Sequence, residues 1–71
     1  MISYRTAPEL HRHRDLGFTI TFGISAYYHG KRLLHIPDVF CHRRQAIAFV
    51  KRCNQHRLEL CHLQDLIEDE M

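Results

Sequence analysis

Residues 18–36 read FTITFGISAYYHGKRLLHI, and the parity of this stretch decides the fold. Phe18, Ile20, Phe22, Ile24, Ala26 and Tyr28 are apolar, while Thr19, Thr21, Gly23 and Ser25 between them are small or polar. Successive side chains leave a strand on opposite sides, so a period of two marks a strand with one buried face. Residues 31–36 (KRLLHI) read as its antiparallel neighbour. An apolar face must meet an apolar face, and a slip of one residue would expose it. A two-residue His29-Gly30 loop would pair Ala26 with Leu33 and Ile24 with His35, which leaves Leu34 and Ile36 on the polar side. A three-residue loop, Tyr28-His29-Gly30, pairs Ile24 with Leu34 and Phe22 with Ile36. The second is the expected register, closed by Gly30 as a left-handed bulge residue.

Working outward toward the N-terminus, residues 2–7 (ISYRTA) predict a first strand with Ile2 and Tyr4 on one face, ended by Pro8. Residues 9–15, ELHRHRD, read as a solvated connection rich in His and Arg. Toward the C-terminus, Pro37-Asp38 reads as a strand stop followed by an N-cap, because the Asp carboxylate can accept from the free N–H groups of a first helical turn. A helix to about Asn54 would gather Ala46, Ile47, Phe49, Val50 and Cys53 within an arc of about 160°, with Arg44, Lys51, Arg52 and Gln55 facing outward. After a connection over residues 55–58, Leu60, Leu63, Leu66 and Ile67 form the apolar stripe of a second, short helix. Such a helix must dock, since isolated helices below ~12–15 residues are marginal in water. The expected fold class is therefore α+β: a three-stranded antiparallel meander followed by two helices on one sheet face, the Phe18/Ile20/Phe22/Ile24 face. Gly23 interrupts the strand pattern and predicts a close backbone approach, attributed to the first helix packing above it.

Seventy-one residues make one domain, 1–71, with a thin core. A hydrophobic content of 45% with 25% charged residues is ordinary for a folded chain. No signal-like or bilayer-length apolar run occurs, so a cytoplasmic protein without a membrane segment is expected. Three cysteines and no secretory signal favour reduced thiols. The net charge of +2 conceals a segregation: residues 1–57 hold all ten Lys and Arg with three acidic residues, net +7, while residues 58–71 hold five acidic residues alone, net −5. Glu68, Asp69 and Glu70 crowd a helix C-terminus, where the macrodipole disfavours them. A basic group should compensate, most simply from the chain's own basic helix or sheet, the alternative being a basic patch on a partner or on a second copy.

No stretch carries a diagnostic functional motif. Cys53, His56, Cys61 and His62 form the best metal-like cluster, but zinc sites use paired C-x2-4-C and H-x3-5-H spacings that are missing here. Cys61 and His62 are helix neighbours pointing about 100° apart, so a Cys–His nucleophile is not formed, and no catalytic residues or cofactor are assigned. No Gly-rich phosphate loop occurs. Arg44, Lys51 and Arg52 could contact nucleic-acid phosphates, an alternative opposed by the acidic tail. The preferred expectation is a non-enzymatic module that binds a protein partner or itself. Its surfaces would be Tyr27, Leu33 and His35 on the second sheet face and Asp65, Glu68 and Asp69 on the last helix.

The motifs Phe22-Gly23-Ile24, Ile36-Pro37-Asp38-Val39, Cys53-Asn54, Leu58 and the closing run HLQDLIED over residues 62–69 resemble those of a family of short, uncharacterised bacterial proteins, mostly from Gram-positive anaerobes. The family pattern has a Ser or Thr cap near position 40 and a Pro-Glu helix start near 60–61. Phe40-Cys41 and Leu60-Cys61 stand there in this chain. The resemblance implies no activity.

Overall fold

The computed structural model describes residues 1–70. Three strands, β1 (Ile2–His13), β2 (Gly17–Tyr28) and β3 (Lys31–Phe40), form an antiparallel meander in that order. Helix α1 (Arg43–Gln55) follows, then a 3-10 turn (Leu60–His62) that runs into α2 (Leu63–Glu70). Both helices pack on the sheet, giving the β-β-β-α-α order and the α+β class that the alternation at residues 18–28 implied.

The core lies where α1 crosses the strands. Ile24 and Ala26 of β2, Tyr4 of β1, and Val39 and Phe40 of β3 close against Ala46, Phe49 and Cys53 of α1, with Leu63 and Ile67 of α2 completing the cluster. Phe40 and Phe49 meet as a tilted aromatic pair, centroids 5.4 Å apart. The apolar arc of α1 is filled as expected on its Ala46/Phe49/Cys53 line, while Ile47 at its margin remains exposed. Arg44, Lys51, Arg52 and Gln55 face solvent.

An Asn side chain fastens α1 to the sheet. Asn54 accepts from the Tyr4 main-chain N–H at 2.8 Å and donates to the Tyr4 carbonyl at 3.0 Å, so its amide pairs with the outer edge of β1 as a neighbouring strand would. The Tyr4 hydroxyl donates to the Leu58 carbonyl at 2.7 Å, tying down the segment between the helices.

Several boundaries differ from expectation, each for a definable reason. β1 does not stop at Pro8; it runs on to His13, and residues 9–13 are strand rather than solvated loop, with the turn at Arg14-Asp15-Leu16. Because Tyr4 points its N–H and C=O outward to Asn54, and the β1–β2 register runs unbroken, every even residue of β1 points those groups away from β2. Pro8 is one of these, so its missing N–H removes no ladder bond, an arrangement in which an edge strand tolerates proline.

The β2–β3 turn is the two-residue His29-Gly30 loop, with both residues left-handed at φ 50° and 78°. That combination is a type I′ turn, whose twist matches the flanking strands. Tyr28 then pairs with Lys31 and Tyr27 with Arg32, after which a bulge at Leu33 shifts the ladder so that Ala26 pairs with Leu34 and Ile24 with Ile36. Apolar faces meet as parity requires. The extra residue that achieves this sits in β3 and not in the loop, so the expected Ile24–Leu34 and Phe22–Ile36 pairs are not formed.

Asp38 is not an N-cap. It lies within β3 at φ 56°, beside a second register shift, and α1 starts five residues later behind an extended His42 that makes no side-chain cap. Nor does α1 explain Gly23. A Cβ there would stand 2.7 Å from the Ile36 carbonyl oxygen, 3.0 Å from the His35 ring and 3.1 Å from Pro37 Cα, so the close neighbour is the distorted β3.

Candidate functional site

The sheet is three strands wide only over part of its length. β3 pairs with β2 no further than Phe22↔Phe40, whereas β1 and β2 continue together to His13↔Gly17. The distal half of the β1–β2 hairpin is therefore a two-stranded arm, and the molecule is elongated, 42 × 25 × 18 Å. On the face that carries the helices nearer the body, this arm presents Leu10, Phe18 and Ile20, with Leu16 at its tip. These are 66%, 62%, 55% and 77% exposed. Leu10 pairs directly with Ile20, and Arg12 with Phe18, its guanidinium 5.6 Å from the ring. The helices thus cover the Ile24/Ala26 end of the alternating face and leave the Phe18/Ile20 end in water.

The hydrogen-bond parity set by Asn54 extends to β2. Odd residues of β1 face β2, so Gly17, Thr19 and Thr21 bond to β1, and the N–H and C=O groups of Phe18 and Ile20 point to the opposite side. Among the described residues no strand lies there. The arm thus has one apolar face and one unpaired edge, both contributed by Phe18 and Ile20.

The other face of the sheet is polar. His13 Nε2 lies 2.9 Å from Thr19 Oγ1, and His11 Nε2 lies 2.7 Å from Thr21 Oγ1. Nearer the body, His35 reaches across β2: its Nδ1 is 2.8 Å from Ser25 Oγ and its Nε2 is 2.8 Å from Glu9 Oε1. A carboxylate can only accept, so Nε2 carries hydrogen and, in the neutral ring, Nδ1 accepts from the Ser25 hydroxyl. This Glu–His–Ser chain has the order found in acyl-transfer sites, but Ser25 is 1% exposed and cannot be reached by a substrate. It pins the three strands to one another, and Gly23 makes room for the imidazole to cross β2.

Of the residues singled out for partner binding, Tyr27 is half-buried with the Arg5 guanidinium 5.0 Å above its ring, Leu33 is exposed in the bulge, and His35 is engaged with Glu9 and Ser25. Asp65, Glu68 and Asp69 are exposed on α2, while Glu70 pairs with Arg52. The acidic helix end is therefore answered by the chain's own basic helix. That pairing occupies one of the three cations considered for nucleic acid; Arg44 and Lys51 are exposed on α1.

The four metal-like residues are not brought together. Cys53 is buried in the core, where burial pushes its thiol up from the ordinary value, against a smaller opposing pull from Arg52. His56 caps α1, and Cys61 and His62 lie exposed on the 3-10 turn. Among the described residues the one group of three candidate ligands is Glu59, Cys61 and His62, their ligand atoms within 4.8 Å of one another and all three residues exposed. No described helix is long and apolar enough to cross a membrane. No known family, no curated protein and no solved structure matches the chain.

The alternation at residues 18–28 contained the signal for this site. In the structure α1 and α2 close over the Ile24/Ala26 part of that apolar face and leave its Phe18/Ile20 end in water.

Proposed function

We propose that this chain is a small non-enzymatic module that associates with a second copy of itself through the projecting β1–β2 arm. The observation that carries this reading is the exposure of Leu10, Phe18 and Ile20 on one face of a two-stranded ribbon, with Leu16 exposed at its tip. Together they offer on the order of 450 Å² of apolar surface, within the ~300–600 Å² of the largest patch on a typical monomer, a patch that is often functional. A stable interface takes roughly 800 Å² per partner, so a dimer in the micromolar range is expected rather than an obligate one. Apolar surface of this extent stands on the arm and not around Leu33, which favours the arm over the surfaces expected from sequence.

Sedimentation velocity across about 1–200 μM tests the reading. The expected result is a shift from 8.5 kDa toward twice that mass, abolished by the double substitution Phe18→Ser/Ile20→Ser. A wild-type chain that sediments at 8.5 kDa throughout the range would remove it. Circular dichroism of the variant separates lost association from lost folding.

A further inference from the structure

We infer that two copies join edge to edge, residues 17–21 of β2 pairing antiparallel with the same residues of the partner about a two-fold axis at Thr19, to make a continuous four-stranded ribbon. This rests on the self-association reading above and specifies its geometry.

The three outer edges of the sheet are not equally protected. Natural edge strands carry charge, proline, bulges or distortion that discourage pairing with another chain. The outer edge of β1 carries Arg5, Pro8, Glu9 and Arg12, and at Tyr4 it is already occupied by Asn54. β3 carries Lys31, Arg32, the Leu33 bulge, Pro37 and a left-handed Asp38. Beyond Gly17, which is left-handed at φ 77° where the turn ends, residues 18–21 of β2, Phe-Thr-Ile-Thr, carry none of these devices: they are uncharged, without positive φ, and rich in β-branched and aromatic side chains. It is the one stretch of edge in the described sheet with no protection.

The same stretch is complementary to itself. Apolar faces must coincide across the new junction, which requires that an even residue oppose an even residue. The gap beside β2 is five residues long, bounded by the turn before Gly17 and by the Phe22↔Phe40 pair. A two-fold axis at its centre, Thr19, uses the whole gap and sets Phe18 opposite the partner's Ile20. Phe18 and Ile20 are the residues whose main-chain groups point outward, so each Phe18–Ile20 pair exchanges two hydrogen bonds and the junction gains four. Thr19 then faces the partner's Thr19 as a non-bonded pair, the closely spaced kind, with Cα atoms about 4.5 Å apart. The side chains of Leu10, Phe18 and Ile20 from both copies merge into one apolar surface.

Oxidative cross-linking reads this register directly. Thr19→Cys is built in the full chain with Cys41→Ser and Cys61→Ser, which removes both exposed native thiols. Facing cysteines at Thr19 come within disulfide reach, so mild oxidation should convert most of the protein to a reducible dimer. Thr21→Cys is the register control. Thr21 would oppose the partner's Gly17, which places the two Thr21 positions roughly 14 Å apart along the ribbon, too far to bridge. Ile20→Cys reports the other way two arms could meet, with apolar faces stacked.

Linking at Thr19 without linking at Thr21 or Ile20 establishes the edge pairing. Linking at Ile20 and not at Thr19 would overturn it while leaving self-association standing, as would a 17 kDa species by sedimentation that Thr19→Cys fails to trap. A chain that neither sediments as a dimer nor links at any of the three positions would overturn both.

Discussion

At Gly23 a missing side chain lets three strands be laced together. The His35 ring passes over β2 at this point to reach Glu9, and the Ile36 carbonyl crowds from the same side. Gly23→Ala places a Cβ against a main-chain oxygen that a neighbouring side chain cannot relieve, so a loss of about 1–3 kcal/mol is expected in urea unfolding; a neutral effect would show that β3 yields freely there. Asn54 has a comparable weight. Asn54→Ala strands a partly buried N–H and C=O of Tyr4, for an expected loss of about 2–3 kcal/mol in the same measurement. Burial raises both the Cys53 thiol and the Tyr4 phenol, with the neighbouring thiols adding to the shift at Tyr4. Each is an acid held protonated in the native state, so between its ordinary and its raised value the native state binds more protons than the unfolded one. Stability is then complete below the ordinary values of 9.0 and 10.0 and falls as pH climbs past them. Urea midpoints at about pH 7 and pH 10 should show this fall, and an unchanged or higher midpoint at the alkaline pH would contradict it. In native protein a thiol reagent should modify Cys41 and Cys61 but spare Cys53.

Elements were legible from sequence in proportion to how far their own residues determined them. The alternation in β2 and the apolar arc of α1 name their buried faces directly, and the core is built from them. The ends of β1 and the start of α1 were not legible, because each depends on a neighbour. Pro8 reads as a strand stop unless its outward orientation is known, and that orientation follows from the β1–β2 pairing, with the Asn54 contact at Tyr4 showing its sense. Asp38 reads as a cap unless the bulged path of β3 is known. The turn was misread for a related cause: parity required one extra residue, and nothing local says whether it sits in the loop or at Leu33. The acidic end of α2 was read correctly as answered from within. The Arg52–Glu70 pair is solvent-facing, so Glu70→Gln should lower stability by no more than about 1 kcal/mol, and the loss should shrink in high salt; a much larger change would mean that α2 is held by this ion pair and not by Leu63 and Ile67.

For the molecule as a whole, the consequence of its size is that the helical layer is shorter than the sheet it covers. Two helices of thirteen and eight residues lie on a hairpin whose strands are twelve residues long, and among the described residues no third strand or helix lies on the distal half of that hairpin. Two-stranded ribbons are marginal in water by themselves, and this one keeps Phe18 and Ile20 exposed and their main-chain groups unpaired. A second arm closes the edge and sets each Phe18 against the partner's Ile20, so the main-chain groups are paired and part of both side chains leaves water. The candidate site was thus present in the sequence as an excess of alternation, and it became visible only when the reach of α1 and α2 was known. The most direct test is amide hydrogen exchange of the wild-type chain at low and high micromolar concentration, followed at Phe18 and Ile20. Pairing predicts that these two amides become protected as concentration rises, while those of the Arg14-Asp15-Leu16 turn stay fast. Equal, rapid exchange at Phe18 and Ile20 at every concentration would contradict it.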